Sequence, residues 1–273
     1  MTATAEQSYV LGTNDDELQR LGFQNRLWAR EASALWERAG FAPGQTILDV
    51  GCGPGYATLD LAALVAPDGR VIGVDESPRF VDHLRAQLRA LRVAHVDARV
   101  GDVQRLDLPA ASLDGAYARW VLCFVKNPQA VVAGVARALR PGGVFAVQDY
   151  LNYRALGVSP KSQAMARVAD AVYESWRVRG GEPDVASILP RMMTDCGLVV
   201  REVYPIVRVA SPGSALWQWP TTFFRNYLPT LVDMALLSQR EREQFESDWA
   251  QRSADPTALF CSPIMLDIIA VKA

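Results

Sequence analysis

Residues 47–62 read ILDVGCGPGYATLDLA, and this stretch decides the fold. Thr46 to Val50 is short and apolar apart from Asp49, the pattern of a strand buried on both faces. Gly51, Gly53 and Gly55 follow at alternate positions, and helical spacing begins near Tyr56. Glycines here admit positive φ and remove the Cβ atoms that would block a ligand's approach. A helix opening at the end of such a turn points free N–H groups and the positive end of its dipole at the same space. Strand, glycine turn and helix N-terminus together make a cradle for a small ligand.

The spacing narrows the ligand. The dinucleotide fingerprint is G-x-G-x-x-G, whereas Asp49 to Gly55 reads D-x-G-x-G-x-G. No P-loop lysine follows, which argues against a nucleoside triphosphate. About twenty residues on, Val71 to Ser77 reads VIGVDES, a second strand ending in an acid. The carboxylate of Asp75 can accept from both hydroxyls of a ribose.

On these motifs the chain resembles the class I S-adenosylmethionine (SAM)-dependent methyltransferases, strongly over residues 43–150 and loosely beyond. The resemblance implies an α/β fold with a doubly wound, mainly parallel, seven-stranded Rossmann-like sheet. It implies SAM as methyl donor and S-adenosylhomocysteine as product. Gly51, Cys52, Gly53 and Gly55 would run along the methionine part of SAM, with Asp49 orienting the loop. Asp75 would meet the ribose, and Asp102 with Val103 the adenine, with Glu76, Ser77 and Gly101 also at the cofactor. An N-terminal helical cover would bring Tyr9, Gln24 and Arg26 to the cofactor, and Arg119 and Trp120 would join them from the end of strand four.

Bulk properties set limits. The chain has 273 residues, half of them hydrophobic, enough for a sizeable core. A net charge of −2 argues against nucleic acid as the main partner. Four scattered cysteines without a C-x-x-C pair, and only two histidines, make a metal site unexpected. A reduced cytoplasmic setting fits those cysteines. Neither a signal peptide nor a membrane-spanning run is evident.

The chain divides into an N-terminal cover (1–42), a cofactor-binding core (43–150) and a remainder (151–273) that adds core strands and a helical lid near 153–185 and 211–258. Asn14 and Glu17 form a capping-box pattern ahead of one or two amphipathic helices over 15–39. Strands are expected at 46–50, 70–74, 94–100, 113–118 and 144–148, with helices at 56–66, 78–91 and 128–139 between them. Further on, helices are expected at 161–179 and at 184–196, the latter disturbed by Pro190. Pro205 makes 198–209 an edge strand, and 264–271 is the last strand.

An activated sulfonium methyl needs an acceptor held in line with it, and a base only where the acceptor carries a proton. His83 and His95 lie away from the productive sheet edge. Asp149, Tyr150 and Tyr153, after strand five, are the candidates to orient or deprotonate an acceptor, or else satisfy backbone groups at a strand end. Cys123 and Phe124 stand where the resembled family often has a histidine pair. The signatures of DNA-base and RNA-cytosine methylation are absent, which favours a small-molecule acceptor. Tyr153, Trp217, Phe223, Phe224 and Tyr227 are the expected pocket aromatics, unless they pack a lid or a homodimer face. Two other readings stay open: a dinucleotide-dependent oxidoreductase, and a SAM-binding protein that catalyses another reaction or none.

Overall fold

Ile47, Leu48 and Val50 are fully buried in β1 (Thr46–Val50), because helices cover both faces of the sheet that β1 centres. A computed structural model describes residues 12–273. Ahead of β1 lies α1 (Asp15–Ala39), one continuous helix capped by Asn14, whose side chain accepts from the Glu17 amide at 2.9 Å. After it come α2 (Tyr56–Val65), β2 (Arg70–Asp75), α3 (Pro78–Leu91), β3 (Val96–Val100), β4 (Leu113–Arg119), α4 (Pro128–Ala138) and β5 (Leu139–Asn152). β5 starts earlier than its apolar run, because Leu139 already pairs with Leu113 ahead of the turn at 141–143.

The rest is β6 (Gly157–Ser159), α5 (Gln163–Arg177), α6 (Leu189–Asp195), β7 (Leu198–Ile206), β8 (Val209–Ala210), α7 (Ala215–Asp233), α8 (Gln239–Ala254), β9 (Leu259–Cys261) and β10 (Ile264–Lys272). Pro190 does not disturb a helix over 184–196. It sits in the first turn of α6, where its missing N–H has no partner to lose. α7 carries Pro220 and Pro229 and still runs through 19 residues. Its apolar side buries Leu216, Trp219, Phe224, Leu228 and Leu231, which outweighs two broken backbone bonds.

The seven-stranded sheet has the order β3-β2-β1-β4-β5-β10-β7. All pairings from β3 to β5 are parallel, and β10 runs antiparallel between β5 and β7. β7, with Pro205, is the edge strand. This is the Rossmann-like sheet that the motifs imply. A second sheet, β6-β9-β8, was not foreseen: three strands of two or three residues carry no readable alternation. No helix among the described residues is long and apolar enough to cross a membrane.

Candidate functional site

β1 and β4 are neighbours, and the sheet order reverses between them. Connections leave such a point to opposite faces, so a crevice opens at the C-terminal ends of the strands. A cavity of about 1100 Å³, counting its open mouth, lies there. The β1 turn contributes Asp49, Gly51, Cys52 and Gly53 to its wall, and the end of β4 contributes Arg119 and Trp120. Tyr150 and Tyr153 come from the end of β5, Trp176 from α5, and Trp219, Phe223 and Phe224 from α7. An adjoining cleft is lined by Asp75, Glu76, Asp102 and Val103, and shares Gly51, Phe80, Val121 and Phe124 with the cavity.

The glycine turn has two separate reasons for its glycines. A Cβ on Gly53 would meet nothing within 4 Å, so that position faces open space at φ +54. A Cβ on Gly55, at φ +87, would lie 2.3 Å from Leu84, so this glycine serves packing of α2 on α3 and not ligand approach. Asp75 ties the turn to β2: its carboxylate accepts from the Gly53 amide at 2.8 Å and the Ser77 amide at 2.9 Å. Burial pushes its pKa up to about 6, against the pull of those two amides. Each carboxylate oxygen keeps a further acceptor direction, enough for two hydroxyls of a sugar.

Asp49 is buried and accepts from the Thr58 hydroxyl at 2.6 Å. Burial lifts its pKa to about 7, with the Arg119 charge opposing. Arg119 donates through Nη2 to Asn25 at 2.5 Å, while its Nη1 is buried without a hydrogen-bond partner among the described residues. A buried guanidinium nitrogen left in that state costs free energy, and a ligand carboxylate beside it would recover that cost. The cavity thus offers open space at Gly53 and an orphaned cation donor at Arg119, and the adjoining cleft a carboxylate with free acceptor directions at Asp75. That donor set fits an amino acid joined to a nucleoside, as in SAM.

The other expected positions divide. Gln24 lines the cavity and accepts from Arg20 Nη1 at 2.9 Å and Trp219 Nε1 at 2.8 Å, bridging α1 to α7. Arg26 lines a separate groove between α1 and α7 with Arg225. Ser77 caps α3, and Gly101 donates to the Asp75 carbonyl at 2.9 Å; both support the acid's loop. Tyr9 lies outside the described residues.

Asp149 does not reach the cavity wall. It is fully buried and accepts from the Tyr150 amide at 2.9 Å and the Cys123 amide at 3.3 Å, with burial lifting its pKa to about 6. It holds the strand end together, while Tyr150 and Tyr153 beside it line the cavity. Trp217 is also off the wall: it stacks on Trp249 at 4.6 Å and donates to Ser253 at 3.0 Å, joining α7 to α8. Tyr227 pairs with the Ser175 hydroxyl at 2.8 Å, again away from the wall. His95 Nε2 lies 2.9 Å from the Ala62 carbonyl, and neither histidine lines the cavity.

Sequence reasoning missed Arg20, Asn25, Tyr56, Trp176 and Phe260 on that wall. Apart from Phe260 on β9, their elements were legible, but contacts between elements distant in sequence leave no local mark. Arg20 is the exception in kind. It is a buried arginine, 5 % exposed, bound to Glu17 at 2.6 Å one turn earlier on α1, and a charged pair on the inner face of an amphipathic helix was a usable signal.

Comparison with known proteins agrees with this geometry. Residues 48–147 match the profile described as a methyltransferase domain. An uncharacterized 37.1 kDa protein from a transposon of Streptomyces fradiae is 37 % identical over 180 residues, 63 % of this chain and 49 % of that one. Trans-aconitate 2-methyltransferase of Methylobacterium radiotolerans is 34 % identical over 164 residues, 60 % of this chain and 58 % of that one. The chain spans about half the length of these curated relatives. Among solved structures, a geranyl diphosphate methyltransferase in complex with GPP and sinefungin superposes with a TM-score of 0.58 at 21 % identity, over 91 % of this chain and 80 % of that one. The [4+2]-cyclase SpnF superposes with a TM-score of 0.59 at 19 % identity, over 89 % and 80 %. Sheet order, glycine turn and matched profile agree: residues 48–147 belong to the class I SAM-dependent methyltransferases.

Proposed function

We propose that the chain transfers a methyl group from SAM to a small, largely apolar metabolite, giving S-adenosylhomocysteine. One observation carries this reading: a single cavity joins the glycine turn to a chamber walled by Trp120, Tyr150, Tyr153, Trp176, Phe223 and Phe224. SAM, when bound, supplies a methyl carbon already activated by the sulfonium. Gly51 and Gly53 line its methionine part, Arg119 holds the carboxylate, and Asp75 accepts from the ribose hydroxyls. Glu76, Asp102 and Val103 take the adenosine side in the adjoining cleft. The aromatic walls exclude water and hold an apolar acceptor against the methyl carbon, so positioning is the main catalytic device. The matched domain and the similarity to trans-aconitate 2-methyltransferase support the reaction class.

Calorimetric titration with SAM, S-adenosylhomocysteine and NAD tests the cofactor. Micromolar binding of the first two and none of NAD is expected. Binding of NAD without SAM would overturn the reading.

A second reading has its own support: no histidine, and no carboxylate besides Asp49, lines the cavity among the described residues. A chamber without a base also suits SAM-bound chemistry without methyl transfer, and the fold is shared with a [4+2]-cyclase. Release of S-adenosylhomocysteine during turnover separates the two.

A further inference from the structure

Among the described residues the chamber is lined by hydrogen-bond donors, and its one carboxylate is Asp49 at the glycine turn. Tyr150 and Tyr153 both line it, their rings 5.2 Å apart and edge to face. Neither hydroxyl is bonded to another described residue. Arg20 lines the same chamber, its guanidinium 5.9 Å from the Phe223 ring centre. Glu17, which binds two of its nitrogens at 2.6 and 2.7 Å, is not on the wall. Burial raises both phenols above their ordinary range. At neutral pH the tyrosines are therefore protonated donors, not bases. Asp49, the only acid on the wall among the described residues, sits at the glycine turn and is held by Thr58.

Two phenol donors in an apolar chamber complement an oxyanion on the ligand, while the charge of Arg20 is already balanced by Glu17. A neutral alcohol or an ammonium would need a base at the tyrosines, whereas the one carboxylate among the described wall residues, Asp49, is at the glycine turn and engaged by Thr58. We propose that the acceptor is an oxygen acid already ionised in solution, a carboxylic acid or acidic phenol on an apolar body, and that the hydroxyls of Tyr150 and Tyr153 hold its oxyanion for methylation on oxygen. This rests on the SAM reading above. One acceptor oxygen forms the new O–C bond as the S–C bond breaks. The electron pair of that bond stays on sulfur, giving S-adenosylhomocysteine and a methyl ester or ether. No proton moves.

The test uses the intact protein saturated with S-adenosylhomocysteine, titrated with 4-phenylbutyrate, 4-nitrophenol, 4-phenylbutanol and 4-phenylbutylamine. At least one acid should bind roughly tenfold or more tightly than the alcohol and the amine. Which acid binds separates a carboxylate from a phenolate acceptor. The Tyr150→Phe/Tyr153→Phe double variant keeps both rings. It should lose that preference and leave alcohol binding and S-adenosylhomocysteine binding unchanged, and either single variant should lose part of it. With SAM, the preferred acid should gain a methyl on oxygen by mass spectrometry. Equal binding of the alcohol or amine, binding of neither acid, or a preference surviving in the double variant would overturn the proposal. Failure of S-adenosylhomocysteine to bind at all would overturn the cofactor reading, and this proposal with it.

Discussion

At the scale of single residues, Asp75 is the most exposed to test. Its carboxylate already accepts from two amides, so Asp75→Asn replaces one acceptor oxygen by a donor that faces a backbone N–H or a ligand hydroxyl. The variant should bind S-adenosylhomocysteine roughly tenfold or more weakly by calorimetry, since charge-assisted bonds are lost. The sign of the pH dependence follows from the raised pKa of about 6. The ionised acceptor is present above that value and disappears below it. Affinity should therefore fall as pH drops from about 7.5 to about 5 in the natural protein, and change far less in Asp75→Asn. Unaltered affinity in the variant would remove Asp75 from the ribose site.

At the scale of elements, α7 has two jobs that its aromatic density concealed. Phe223 and Phe224 line the chamber, whereas Trp217 stacks on α8 and is 1 % exposed. Trp217→Ala should cost about 3–5 kcal/mol of stability in denaturant titrations, through the cavity it leaves, with acceptor affinity of the folded fraction unchanged. Phe223→Ala, on the half-buried wall, should weaken acceptor binding more than it lowers the melting temperature. Reversal of those two patterns would mean that α7 is turned the other way about its axis. The helix was legible as aromatic but not as a face, because five aromatics between Trp217 and Tyr227 fall on several sides of a helix and Pro220 and Pro229 interrupt the period.

At the scale of the whole molecule, several buried acids act together. Asp49, Asp75 and Asp149 have pKa values raised by burial to about 7, 6 and 6. The unfolded chain releases these protons near pH 3.9, so between about 4 and 7 the folded state binds more protons than the unfolded one. Stability of the ligand-free protein should fall as pH rises through that window, by the cost of ionising groups in a dry interior. Asp149→Asn should flatten the slope, and a melting temperature that climbs steadily from pH 5 to 7.5 would contradict this account. The sheet tolerates the burden because it buries Ile47, Leu48, Phe145, Val147, Ile268 and Ile269 completely.

The sequence by itself determined the order of strands and helices through β5, the glycine turn, the acid at the end of β2 and the edge position of β7. Those features are local: apolar period, glycine and proline backbone limits, and capping side chains act over a few residues. Only the tertiary structure decided that Asp149 is a strand-end acceptor, that Trp217 belongs to the α7–α8 contact, and that Arg20 shares a chamber with Tyr150 and Tyr153. A side chain's role there depends on which surface meets it across tens of residues of chain, or more than a hundred for Arg20. Burial and hydrogen-bond satisfaction settle that choice in the folded state alone, and neither is written at the residue's own position.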